Sequence, residues 1–285
     1  AGLAFVVATG LLLAGVLVSL GVGSNPIPLD RVWQLLWHPD GSFDAVVIGA
    51  QRLPRTLVLV VVSAALGVAG ALMQSLTRNP LADTGILGVG AGSSFAVTVA
   101  VGVLGVRDIS GYMWFAYAGA LVVTVMVLAL GSTRRGQSPV LMVLAGVCVS
   151  AVLTGASSAL TLTNPEAFDQ MRGWSAGSIM GRPLELIWPV LPLLVVALVL
   201  ALSVTASLNA MALGDDVAAA QGVRLGLSRV LTVAAITLLA GGATAIAGPI
   251  GFVGLMVPHV ARWFVGPHQG WIFAYSIVLA PSLLL

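Results

Sequence analysis

Long unbroken apolar runs, not alternation, dominate the chain. They read as spans at 2–21, 56–76, 86–105, 112–131, 139–162, 186–207 and 229–248, with a shorter one at 249–265 and another starting near 271. An α-helix needs about 20 apolar residues to cross a hydrocarbon layer. Continuous runs favour helices over a membrane barrel, whose strands alternate. All ten acids lie outside the span cores. The pattern predicts an all-α integral membrane protein, a polytopic helical bundle forming one transmembrane domain over 1–285. Residues 2–21 lack a basic start and a cleavage site, so a signal peptide is not expected. Ala1 is not an initiator Met and Leu285 lies inside an apolar run, so both ends read as trimmed or disordered.

Three polar connections interrupt the runs. In 22–51, Leu29, Val32, Trp33, Leu36 and Trp37 recur at helical spacing behind Pro28. This predicts a short amphipathic helix with its Trp pair in the membrane interface. Residues 163–185 form a second connection. The third, 208–228, contains Gly214, Asp215, Asp216, Ala218, Ala219, Gln221 and Gly222, and reads as helical but too polar to span.

Composition agrees with lipid as the solvent. Hydrophobic residues make up 59% of the chain and charged ones 8%, against roughly 25% in a soluble domain. Mean hydropathy is +1.07 and the isoelectric point near 9.2. The twelve basic residues are all Arg and are scattered, which gives no nucleic-acid patch. Without Lys the chain cannot contain the G-x-x-x-x-G-K-[ST] loop of an ATPase. No cofactor or metal site is legible: the three His stand apart and no His/Cys cluster exists. With a cytoplasmic N-terminus, Arg divides six against six between the two sides, so charge bias leaves the orientation open.

Several segments carry candidate chemistry. In Arg52-Leu53-Pro54-Arg55 the Pro suits a helix start, and the two arginines are either interfacial anchors or a docking site for carboxylates. Ser63, Gly67, Ala71 and Ser75 recur every fourth residue, which suits close helix packing. Pro80 ends that helix, and Gly85, Gly88, Gly90 and Gly92 allow an irregular re-entry, either a plain turn or a pore-lining constriction. In the fifth span Ser150, Thr154, Ser157, Ser158 and Thr161 share a face about 100° wide at 100° per residue. They either bond to neighbouring helices or line an uncharged hydrophilic path.

These segments, in this order, resemble the FecCD family of permeases, the membrane subunits of type II ABC importers for ferric siderophores, haem and vitamin B12. The resemblance rests on RLPR at 52–55, Gly70 to Gln74, RNPLA at 78–82, ILG at 86–88, LAGV at 144–147, LGDDVAAAQGV at 213–223 and GPIGFVGLMVPHVAR at 248–262. It implies about ten spans, with this chain stopping in the ninth, and a cytoplasmic N-terminus in a bacterial inner membrane. It implies that Arg52 and Arg55 face an extracytoplasmic binding protein, and that Asn79 and Leu81 form a cytoplasmic gate. It places a second gate at Ser138 to Val140, where Pro139 departs from the usual small polar residue. Gly214, Asp215, Ala218, Ala219 and Gly222 would belong to the coupling helices that dock a separate ATPase. The implied partners are ATPase subunits, a solute-binding protein, a second permease copy or paralogue, and membrane lipid. The chain itself would not be an enzyme. A secondary transporter or channel for a small solute is the rival. Proton or sodium coupling usually needs an ionisable group within the membrane, and no acid lies there.

Overall fold

The computed structural model describes residues 2–133, 136–137 and 139–285. Their helices are α1 (Gly2–Gly21), α2 (Leu29–Trp37), α3 (Phe43–Val46), α4 (Leu53–Thr77), α5 (Val89–Gly102), α6 (Ile109–Leu130), α7 (Pro139–Thr163), α8 (Pro165–Ser175), α9 (Ile187–Ser203), α10 (Thr205–Met211), α11 (Asp215–Ala220), α12 (Leu225–Ala247), α13 (Val253–Val265) and α14 (Gln269–Leu284). A π-helical turn, Val47–Arg52, joins α3 to α4, and one two-residue β-ladder pairs Ser132–Thr133 with Gly136–Gln137.

Six of the helical runs are long and apolar enough to span a membrane, and α5, α13 and α14 are shorter apolar helices. The shortening has local causes. The run expected at 86–105 opens with a 3-10 turn, Thr84–Leu87, and Gly88 at φ +72° breaks it before α5 begins. Likewise Gly248 and Phe252, both at positive φ, delay α13 to Val253. The third polar connection does hold a helix, α11.

The core forms around α4, which packs against α12, α13 and α14. In the α4 and α12 runs 78% of the apolar window is buried, but only 6% in α1 and 17% in α7, so those two helices present most of their surface outward. Between helices in lipid the hydrophobic effect is weak, so close contact and hydrogen bonds must hold them. A Cβ on Gly67 would meet Ala280 and the Ser276 carbonyl of α14, which identifies the small-residue face of α4 as a packing face. One turn on, a Cβ on Gly70 would lie 2.0 Å from the Gly254 carbonyl oxygen, so α4 and α13 cross backbone to backbone.

That crossing is closed by a buried polar contact. Pro258 has no N–H to give the Gly254 carbonyl four residues earlier. Gln74, only 2% exposed, supplies the donor: its Nε2 reaches the carbonyls of Gly254 at 3.3 Å and Leu255 at 3.0 Å. Its Oε1 accepts from the Arg262 guanidinium. Nearby, Ser75 and Gln269 are joined at 2.6 Å, and the Gln269 N–H donates to Asn209 Oδ1 at 3.0 Å, which ties α14 to α10.

In the first polar connection, α2 turns Val32 and Leu35 inward. Trp33 and Trp37 face outward, 58% and 66% exposed, in an edge contact of 6.0 Å between ring centroids. The apolar face therefore divides into an inner pair and an outer aromatic pair suited to the interface. Just beyond, hydrogen bonds from Ser42 and Arg31 hold Asp40 down to a pKa of about 2, so that corner keeps its charge at any physiological pH.

The crossing predicts unequal costs for added side chains. Gly70→Val should lower the stability of the detergent-solubilised protein by about 1–3 kcal/mol or more. Gly10→Val, with nothing within 4 Å of its Cβ, should leave it unchanged. Thermal unfolding of both variants beside the parent checks this.

Candidate functional site: a hydroxyl-lined cavity and two polar ends

On one side of α7 the structure opens a cavity of about 580 Å³. Thr154, Ser157, Ser158 and Thr161 line it together with Ser94 and Thr98 of α5 and Phe168, Met171 and Arg172 of α8. Four of the five stripe residues thus share one cavity. Ser150, the fifth, lies instead beside Gly88, where a Cβ would approach its hydroxyl to 3.5 Å. Thr161 and Thr98 donate back to their own helices, to the Ser157 and Ser94 carbonyls at 2.6 and 2.8 Å. Thr161, half-buried, keeps its remaining lone pair for the cavity, whereas Thr98 is buried behind the wall. No carboxylate is among the described residues that line it. Elsewhere on α7, Cys148, Val149, Val152 and Leu153 form an apolar groove with Met126 of α6.

At one end of α4, a second cavity of about 700 Å³ is lined by Asn25, Gln51, Arg52, Arg55 and Arg182, among others. The two arginines of the RLPR segment differ sharply. Arg52 is 9% exposed, and its guanidinium donates to the carbonyls of Leu20 at 2.7 Å, Gly21 at 2.9 Å and Asn25 at 2.5 Å. Leu20 and Gly21 close α1, and the Gly21 carbonyl also accepts from the Ile27 N–H at 2.9 Å; a cation there complements the helix dipole. Arg55, one helical turn along, is exposed.

At the opposite end, α4 stops at Arg78, which takes a left-handed conformation at φ 52°. Asn79 Oδ1 accepts from the Leu81 N–H at 2.9 Å, a turn that projects Leu81 outward at 70% exposure. Val140, in the first turn of α7, is 75% exposed. Ser138 lies outside the described residues. Asp215 opens α11 and pairs with Arg78 and with Arg229 of α12, the latter at 2.6 Å. Its carboxylate therefore faces this chain's own arginines. Ala218 is fully buried against Ala210 and Met211, so it cannot itself touch a partner. Exposed around it are Leu213, Val217, Ala219 and Gly222. Gly214 at φ +120° and Gly222 at φ +82° bracket α11 in conformations that favour glycine.

Ser94, Thr98, Arg172 and the Gln74–Arg262 contact were not singled out from the sequence. Ser94 and Thr98 stand four apart, a spacing that would have shown a polar face on α5. Arg172 lies among the charges of a connecting segment and carried no signal of its own.

Helices of spanning length around a hydroxyl-rich face define a multi-pass membrane protein with a polar cavity between its helices. The chain belongs to the FecCD transport family, whose model matches residues 11–285, and it is a transport permease subunit of the bacterial cytoplasmic membrane. It is 43% identical over 276 residues to the ferric enterobactin transport system permease protein FepD of Escherichia coli, covering 96% of this chain and 83% of that one. It is 36% identical over 281 residues to the Fe(3+)-citrate import system permease protein YfmD of Bacillus subtilis, covering 99% and 84%. Its fold matches an inward-facing structure described as a metal-chelate type ABC transporter, with a TM-score of 0.84 and 25% identity over 98% of this chain and 86% of that one.

The two surfaces of α7 should differ chemically. With Cys148 replaced by Ala, Cys at Thr154 or Ser158 should react with a water-soluble thiol reagent. Cys at Leu153, in the apolar groove, should react at least tenfold more slowly, because lipid suppresses the thiolate. Equal labelling would leave the stripe as packing only.

Proposed function

We propose that this chain is the membrane-spanning subunit of an ABC importer for ferric siderophores or related iron chelates, and that its hydroxyl cavity belongs to the translocation path. The observation that carries this reading is the cavity itself. Hydroxyls exchange hydrogen bonds with a polar cargo without holding it by charge, which suits a large solute that must enter and leave. The names of the similar permeases narrow the cargo from iron chelates, haem or vitamin B12 to iron chelates. Among the described residues the cavity lining holds hydroxyls and no carboxylate, which favours ATP drive over ion coupling. A strain lacking this chain should fail to take up iron-55 supplied as a ferric siderophore, and the chain with its cognate partners should restore uptake. Uptake of iron-55 that is independent of the chain, with uptake of another solute dependent on it, would overturn the reading.

The same reading assigns a docking surface, a gate and an ATPase contact. Arg55 offers an exposed guanidinium for a carboxylate of the solute-binding protein, while Arg52 holds the end of α1. Asn79, Leu81 and Val140, with Ser138, would form the cytoplasmic gate between two permease copies. Leu213, Val217, Ala219 and Gly222 would meet the ATPase, held in place by Gly214, Asp215 and Ala218. Arg55→Glu should weaken binding-protein docking in a salt-dependent way. Ala219→Trp should uncouple ATP hydrolysis from transport, without the backbone strain that a side chain at Gly222 brings. Docking measured at low and high salt, and the ratio of ATP hydrolysed to iron delivered, report the two effects. Parent-like values in both variants would place the contacts elsewhere.

A further inference from the structure

One residue of the hydroxyl cavity carries a charge. Arg172 stands in the last turn of α8 and lines the cavity beside Thr154, Ser158 and Thr161. Among the described residues no Asp or Glu lines the cavity, and Arg172 is exposed without a hydrogen bond or ion pair. Other arginines are committed within the fold: Arg52 to carbonyls, Arg78 and Arg229 to Asp215, and Arg262 to Gln74. A guanidinium keeps its charge at any physiological pH and presents five N–H donors in a fixed fork.

Iron chelates differ in charge. Three catecholates bring six negative charges to Fe(III) and leave the complex at −3, whereas three hydroxamates leave it neutral. The hydroxyls of α5 and α7 serve either complex, but a guanidinium that no described carboxylate pairs with distinguishes them. We propose that Arg172 is an anion-recognising residue of the translocation cavity, and that the chain favours iron chelates with net negative charge over neutral ones. The geometry makes the contact a charge-assisted hydrogen bond to an outward-facing chelate oxygen, with hydroxyls on the other wall completing the shell. One cation gives recognition without a trap, because the rest of the described lining is uncharged.

This inference rests on the importer reading above, and the experiment separates the two. The parent and the variants Arg172→Lys, Arg172→Gln and Arg172→Glu are assembled with the cognate ATPase and binding protein in proteoliposomes. Iron-55 ferric tris-catecholate and a neutral iron-55 ferric trihydroxamate serve as probes, and the amount of folded complex is measured for each variant. The parent should prefer the catecholate. Arg172→Lys should keep most of that uptake, Arg172→Gln should lose about tenfold, and Arg172→Glu more. Catecholate uptake by Arg172→Glu at the parent rate would overturn the inference and leave the importer reading intact. Loss in Arg172→Lys as deep as in Arg172→Gln would overturn it too, since charge would then not be what matters. A parent that moves the trihydroxamate better has the same consequence. A parent that moves no iron chelate takes down the importer reading and this inference with it.

Discussion

Gln74 meeting α13 at the Gly70–Gly254 crossing is the contact on which the rest of the structure depends. Inside a membrane every backbone group must find its partner within the protein. Pro258 frees a carbonyl in α13, and Gln74 satisfies it while holding Arg262. Two glycines make this possible: a Cβ on Gly70 would lie 2.0 Å from the Gly254 carbonyl oxygen, and one on Gly254 would crowd Gly70 and Leu66 at 3.2 Å. With α13 fixed, α4 becomes the central post of the bundle, flanked also by α12 and α14. Its 25 residues span about 37 Å, somewhat more than the hydrocarbon core.

A post of that length carries charge at both ends, and Arg52 and Arg78 hold neighbouring segments there. Arg52 gathers the terminal carbonyls of α1, and Arg78 grips Asp215 at the start of α11. Surface ion pairs contribute about 0–1 kcal/mol each, so the Arg78–Asp215–Arg229 group matters more for placement than for stability. It sets α11 against the end of the post, next to the turn that projects Leu81. The more loosely packed α7 is left free to present hydroxyls on one side and apolar residues on another.

Much of this could be read from the order of residues, and the exceptions are instructive. Apolar runs located the spanning helices because lipid imposes their length, and the four-residue spacing of Ser63, Gly67, Ala71 and Ser75 marked a packing face. Helix starts at α5 and α13 were misplaced because left-handed residues at Gly88 and Phe252 break apolar runs without changing their hydropathy. The hydroxyl stripe of α7 was legible by periodicity, but its partners on α5 and α8 were not, since they meet it only in three dimensions. Arg52 and Arg55 look alike in sequence, and Asp215 and Ala218 look like surface residues. Only tertiary contacts show that Arg52, Asp215 and Ala218 are turned onto the chain itself.

The central claim, that the hydroxyl cavity carries an iron chelate, is tested most directly by locating the metal. The complex with an ATPase-inactive partner can be trapped with ferric chelate bound, crystallised, and examined by anomalous scattering at the iron edge. The account predicts an iron peak in the cavity beside Thr154 and Ser158, within reach of Arg172. An iron peak confined to another part of the complex, with this cavity filled by lipid or by a neighbouring helix, would contradict it.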